Sequence, residues 1–463
     1  MFSPQESPTL RDQPSVVSAV GTRPVTGAHA AFRHGLSSTL VVQFGILALG
    51  AFTGTAAARL LGPQGRGELA AVLLWPSMLS IMASLGMNQA IVFHTGQRRF
   101  SFSEVWSAST LMGLAQSAAL VAAGLVIVPV ALHAYSPEVK RLAQIYVCSS
   151  PLLLLSGYPG SLLQGKLDLA AFNVIRLVAP LTYAAGLGVL ILLGRASVAT
   201  VLACQIVGLA LMLGGAYAVL VRKVKLHFTL RRGALKSLAS YGWKTQLASI
   251  SSYINQRVDQ LVLSLFVAPQ ELGLYVVAVT VSTSLGFLPQ ASAIVTLASG
   301  ANLARGDARA VIGRAFRFSL LWLFVASAVL FAVAPWLITL AFGARFAGST
   351  LACRILLPGT VALGLNQVLY DGARALDAPS LPSYAEGAAA VLTCVGLLLL
   401  LPSLGFVGAA IASTAAYTTS LGVMLVLYRS RLGFGLRELL SPCTGLLAKG
   451  DLQLRLGSEA AGS

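Results

Sequence analysis

From residue 36 onward the chain alternates apolar stretches of about 20 residues, each long enough to cross a hydrocarbon core, with short polar turns. Twelve spans are predicted, at 36–61, 69–95, 105–132, 142–163, 170–193, 198–221, 238–267, 272–299, 317–341, 351–373, 384–402 and 405–428. Turn chemistry separates them, as in Gly62-Pro63-Gln64-Gly65, Ser136-Pro137-Glu138, Ala268-Pro269-Gln270 and Asp377-Ala378-Pro379. Residues 1–35 break the pattern: Pro4, Pro8, Pro14 and Pro24 stand among serines without an apolar run. That composition predicts a disordered tail rather than a signal peptide, which needs an apolar segment and a small-residue cleavage site.

A repeat divides the spans in two. Leu60-Leu61-Gly62-Pro63-Gln64-Gly65-Arg66-Gly67-Glu68-Leu69-Ala70-Ala71-Val72 matches Phe266-Val267-Ala268-Pro269-Gln270-Glu271-Leu272-Gly273-Leu274-Tyr275-Val276-Val277-Ala278 in its Pro, Gln and Gly positions. Each copy joins the first span of a half to the second. Two halves of six spans share one orientation, so a two-fold between them runs along the membrane normal. The expected domains are a tail at 1–35, a six-helix bundle at 36–221, a basic linker at 222–237, a second bundle at 238–428 and a tail at 429–463.

Composition agrees with this reading. Hydrophobic residues make up 56% of the 463 and charged residues 10%, with a mean hydropathy of +0.80. A soluble domain carries about 25% charged residues. A soluble enzyme, a nucleic-acid binder and a disordered scaffold are therefore excluded. The net charge of +17 is largely topological. With the N-terminus inside, 22 of the 32 Lys and Arg fall in cytoplasmic segments, 7 on the other side and 3 within spans. This bias predicts both termini in the cytoplasm. Cys148, Cys204, Cys353, Cys394 and Cys443 form no metal or redox spacing, and the first four are expected as small core residues.

The stretch Ala58-Arg59-Leu60-Leu61-Gly62-Pro63-Gln64-Gly65-Arg66-Gly67-Glu68 resembles the first-loop signature of Wzx-type polysaccharide flippases, in the multidrug/oligosaccharidyl-lipid/polysaccharide exporter superfamily. Asn255-Gln256-Arg257-Val258-Asp259-Gln260-Leu261-Val262-Leu263 and Glu271-Leu272-Gly273-Leu274-Tyr275 extend the resemblance, which covers about residues 36 to 430. It implies an all-α polytopic membrane protein, with two pseudo-symmetric six-helix bundles around a central cavity. The implied activity is movement of a polyprenyl-pyrophosphate-linked oligosaccharide across the cytoplasmic membrane of a bacterium. Polysaccharide polymerase and glycosyltransferases are the implied protein partners, with no cofactor.

Ionisable groups within spans cost about 2.5–3.5 kcal/mol each to insert, and they mark pathways. Lys244, Ala248, Ser251, Asn255 and Asp259 form one small-and-polar stripe along the seventh span. Arg257 lies about 160° from Asn255 and from Asp259, so it faces another wall, a neighbouring helix or the interface. With Arg176 of the fifth span, Lys244 and Arg257 are the candidate ligands of a pyrophosphate, and Asp259 is the candidate ion-coupling group. The competing reading is a set of buried ion pairs and inter-helix hydrogen bonds that hold the bundle together. Asn88 and Gln89 suit sugar hydroxyls or bonds to neighbouring helices. Arg59 suits the outer mouth of the cavity, and Arg66 is expected to stay solvated. Asp371 and Arg374 are spaced for a local pair. His29 and His34 have no third ligand nearby, so no metal site is expected. Neither a nucleotide loop nor a nucleophile elbow is present.

Two other functions fit the same composition. A cation-coupled multidrug antiporter of the same superfamily needs acids in its cavity, and the spans supply few beyond Asp259 and Asp371. A membrane glycan polymerase or glycosyltransferase needs outer-face carboxylates and a large outer loop, and the outer loops are short.

Overall fold

The computed structural model describes residues 25–290, 292, 305–378, 380–435 and 439, and side chains at 25–38, 40, 247–252, 254–255 and 305–307 lie outside that description. Eleven α-helices have both bounds among the described residues, and residues 287–290 and 292 are helical as well, following α8 after a short 3-10 turn. The eleven are α1 Val25–Ser84, α2 Met87–Gln97, α3 Phe102–Ala131, α4 Pro137–Gly165, α5 Leu169–Leu193, α6 Val198–Lys223, α7 Arg232–Phe266, α8 Pro269–Thr283, α9 Arg305–Phe342, α10 Ser349–Ala375 and α11 Leu381–Leu432.

The helices start where local chemistry dictates. Ser101 and Glu104 form a capping box on α3, Ser197 and Thr200 do the same on α6, and Ser136 caps α4 just before Pro137. These side chains satisfy amide groups that the first helical turn leaves without intrahelical partners. Asp168 caps α5 through the Ala171 amide and pairs with Lys223 at the end of α6 at 2.5 Å. Burial raises the Asp168 carboxyl, but Lys223, the Ala171 N–H and Lys166 outweigh it, and the net shift is downward.

Helices α1 and α11 are 60 and 52 residues long, too long to cross a core of about 30 Å only once at 1.5 Å per residue. Both fold back at a glycine. Gly62 (φ 68°) breaks α1 and Gly405 (φ 54°) breaks α11, each in the left-handed region that suits a residue without a Cβ. Counting two crossings for each, with α2 finishing the second span, gives the twelve spans expected. Helix α1 already begins at Val25, upstream of the predicted start of the first span, while residues 1–24 lie outside the description. Leu192, Trp336 and Leu398 are 87%, 76% and 76% exposed. Such a surface suits lipid, and the chain is a multi-pass membrane protein.

The two copies of the sequence repeat meet in space. A Cβ on Gly67 would lie 1.7 Å from the Pro269 carbonyl oxygen, and one on Gly273 would lie 1.9 Å from that of Pro63. The contact is reciprocal, as a two-fold between the lobes requires. Here the second arm of α1 packs along α8. The lobes touch again at the other end of the second span, where a Cβ on Gly86 would lie 2.2 Å from the Gly242 carbonyl oxygen. Gly67 and Gly86 are about 28 Å apart along a helix, close to the thickness of a bilayer core. The lobes are thus in contact near both membrane faces.

Arg59 braces the Gly62 end. Its Nε donates to the Ala341 carbonyl at 2.7 Å, and Nη2 donates to that of Leu340. These are last-turn carbonyls of α9, in the opposite lobe, where a cation also meets the negative end of the helix. Arg59→Gln is expected to remove about 1 kcal/mol from this exposed contact, roughly fivefold in its closed-to-open ratio. Spin labels on the exposed residues Gln64 and Gln270 would read the change as a growing long-distance population.

Candidate functional site

The charged residues of α7 divide between two faces. Asp259 is only 3% exposed and looks into the C-terminal lobe. It accepts from Tyr275 Oη at 2.5 Å, Ser413 Oγ at 3.1 Å and the Gln260 amide at 2.7 Å. Tyr275 comes from α8 and Ser413 from α11, so the carboxylate ties three helices together. Arg257 is exposed and donates to Gln260 Oε1 at 3.2 Å. Its charge still acts on Asp259 and Tyr417. Helical geometry separates the two groups on opposite faces, as the spacing requires. Asn255, Ser251 and Ala248 of the predicted polar stripe lie outside the described side chains.

Lys244 is exposed and follows Gly242 at the contact with Gly86. It stands about 20 Å from Arg257 along α7. Arg176 belongs to the N-terminal lobe, where Nη2 donates to Gln43 Oε1 at 2.6 Å and the guanidinium lies 5.2 Å from the centre of the Phe172 ring. Lys244 and Arg257 are therefore too far apart in this conformation to hold one pyrophosphate together.

The neutral candidates sit in α2. Asn88 Oδ1 accepts from Ser161 Oγ of α4 at 3.0 Å, while Gln89 is exposed. His94, one turn further on, is buried beside Ser237 of α7, with its Nε2 3.3 Å from the hydroxyl. Arg374 and Asp371 make the expected local pair at 2.8 Å, with the carboxylate buried. Trp75 Nε1 donates to Ser264 Oγ at 3.0 Å, a bond between the lobes.

Two expectations are corrected. Arg66 is not a solvated turn residue: helix resumes directly after Gly62, so Arg66 falls within the first turn of the second arm and points inward. It lines a cavity inside the N-terminal lobe, and its Nε is buried without a hydrogen-bond partner. The cysteines are not uniformly core. Cys353 is buried, Cys204 intermediate, and Cys148 and Cys394 are exposed, because lipid-facing positions accept a small apolar side chain as readily as the core does. Among the described residues, no three His, Cys, Asp or Glu side chains come together as a metal site.

A two-lobed, twelve-span helical body defines the class as a membrane protein with the fold of the exporter superfamily named above. The lipid II flippase MurJ in an inward closed conformation superposes with a TM-score of 0.73 at 16% identity, over 87% of this chain and 89% of that one. A multidrug resistance MATE family transporter of the MOP superfamily, inward-facing, gives 0.69 at 14% identity, over 85% and 98%. A MOP superfamily transporter from Pyrococcus furiosus Vc1 gives 0.59 at 14% identity, over 87% and 95%. At such identities the likeness establishes the fold. No curated protein matches the chain in sequence. Residues 56–351 match the family described as polysaccharide biosynthesis protein, and the chain belongs to that family.

Proposed function

We propose that the chain is a flippase that moves a polyprenyl-pyrophosphate-linked oligosaccharide outward across a bacterial cytoplasmic membrane by alternating access. In this reading both termini are cytoplasmic, the Gly62 end faces outward and the Gly86 end inward. The observation that carries it is the inequality between acids and cations. Asp259 and Asp371 are buried and bonded, whereas Lys244 and Arg257 are exposed. Such walls favour an anion and disfavour the cationic substrate of a multidrug antiporter.

The cations act in succession. Arg176 and Lys244 stand in the cytoplasmic halves of α5 and α7 and receive the pyrophosphate while the isoprenoid stays in lipid. Arg257, further along α7, takes it once the lobes have rocked. Asn88, Gln89 and Asn255 are the neutral groups for sugar hydroxyls, and Arg59 stands at the outer mouth. Polymerase and glycosyltransferases would use and supply the substrate on the two faces. A potential of 100 mV, negative inside, contributes about 2.3 kcal/mol per charge, so an anion of about two charges gains roughly 4–5 kcal/mol on full passage. Asp259 is the proposed ion-coupling group.

Replacing Arg176, Lys244 and Arg257 together by Gln is expected to lower glycan export at least tenfold at matched expression. Each single change should cost less. Undiminished export by the triple variant would sink the site. Efflux of cationic dyes on overexpression, without any effect on glycan export, would favour the antiporter instead.

A further inference from the structure

In the N-terminal lobe, α1, α5 and α6 line a half-open cavity of about 370 Å³. Its polar lining comes from Thr53, Arg66, Tyr183 and Gln205, and Gly50 and Gly54 on one face of α1 leave it open. At about 30 Å³ per water, that is room for roughly a dozen waters, far more than packing defects provide. No carboxylate is among the lining residues. The Arg66 guanidinium forms no ion pair among the described residues, and its Nε is buried without an acceptor. Arginine keeps its proton in proteins, so this charge cannot be shed. Arg257 of the opposite lobe adds a second positive charge within electrostatic range. A buried cation without a partner is strongly unfavourable, and the polar groups around it are a phenol, a hydroxyl and an amide, all able to donate to an oxyanion.

We propose that the cavity around Arg66 is an oxyanion site within the N-terminal lobe, distinct from the cations between the lobes, which takes a phosphate-type group through the guanidinium with Tyr183 and Gln205 beside it. The planar fork of Arg66 suits two oxygens of one such group. The site does not depend on transport, so its failure would leave the flippase reading intact. The ligand comes either from free phosphate or pyrophosphate or from the headgroup of an anionic lipid, because the recognised chemistry is the same.

The test uses the full chain in nanodiscs of neutral phosphatidylcholine, with pyrophosphate titrated against thermal unfolding. Pyrophosphate should raise the unfolding temperature of the wild type. Arg66→Gln should weaken the apparent affinity at least tenfold, and Arg66→Lys should weaken it less. Should Arg66→Gln fail to fold, Arg66→Lys combined with Tyr183→Phe carries the same comparison. In discs containing phosphatidylglycerol, a raised baseline and a blunted pyrophosphate response, both dependent on Arg66, would identify lipid headgroups as the source. An unchanged response would identify the free anion. A pyrophosphate response that survives Arg66→Gln, or that is absent from the wild type in both disc types, would overturn the proposal.

Discussion

Gly67→Ala is expected to open the contact between the lobes at the Gly62 end, and Gly273→Ala is expected to do the same. The added methyl would stand 1.7 Å from the Pro269 carbonyl oxygen in the first case and 1.9 Å from that of Pro63 in the second. Both obstacles are backbone, so no rotamer change relieves them. Overpacking of this kind costs about 1–3 kcal/mol, which is roughly 5- to 150-fold in the closed-to-open ratio. The sign of the effect on each lobe is opposite, because alanine improves a helix interior by about 0.8–1 kcal/mol over glycine. The variants should therefore open without a matching loss of thermal stability. Labels at Gln64 and Gln270 should report a longer distance in either variant. Since both methyls disrupt one reciprocal contact, the double variant should add little to the larger single effect. An unchanged label distance in both variants would show that the paired turns do not form this contact in the membrane.

That contact was partly legible in the sequence. The recurrence of Pro, Gln and Gly in the two turns gave the repeat and its shared orientation, because a close backbone approach needs a residue without a Cβ at the same place in each copy. The spans were legible as well, since length and apolarity are set by the bilayer. The directions of individual side chains were not. Lipid tails are as apolar as a protein core, so helical periodicity does not separate a lipid-facing residue from a buried one, and Cys148 and Cys394 face out as easily as Cys353 faces in. Arg66 was obscured by its turn: Gly62-Pro63-Gln64-Gly65 reads as a loop, yet the helix resumes at once and carries the arginine into the lobe. The break at Leu85 and Gly86, which sets α2 apart, has φ values of 44° and 66°. Only the glycine is readily predictable from residue type. Leucine in the left-handed region is held there by its surroundings.

Asp259→Asn is expected to abolish any dependence of transport on a proton or sodium gradient while leaving the fold in place. The carboxylate accepts from Tyr275, Ser413 and the Gln260 amide. A carboxylate so placed holds three helices only while it can accept. Asparagine keeps the volume and one acceptor oxygen, so it retains part of this network but cannot ionise. Asp259→Ala removes the acceptor altogether; the Tyr275 and Ser413 hydroxyls, 3.3 Å apart, can still pair with each other, which leaves one buried donor without an acceptor at about 1–3 kcal/mol. The alanine variant should therefore unfold at a lower temperature than the asparagine variant, and the difference measures the structural role alone. The coupling role is read separately, from glycan movement in vesicles under imposed gradients. Wild-type movement should respond to at least one gradient, and Asp259→Asn should respond only to the membrane potential. If the asparagine variant keeps the full ion response, Asp259 acts as a structural tie among α7, α8 and α11, and the coupling group lies elsewhere. If wild-type movement already follows the potential alone, the charge on the pyrophosphate suffices, as the roughly 4–5 kcal/mol available to about two charges at 100 mV allows.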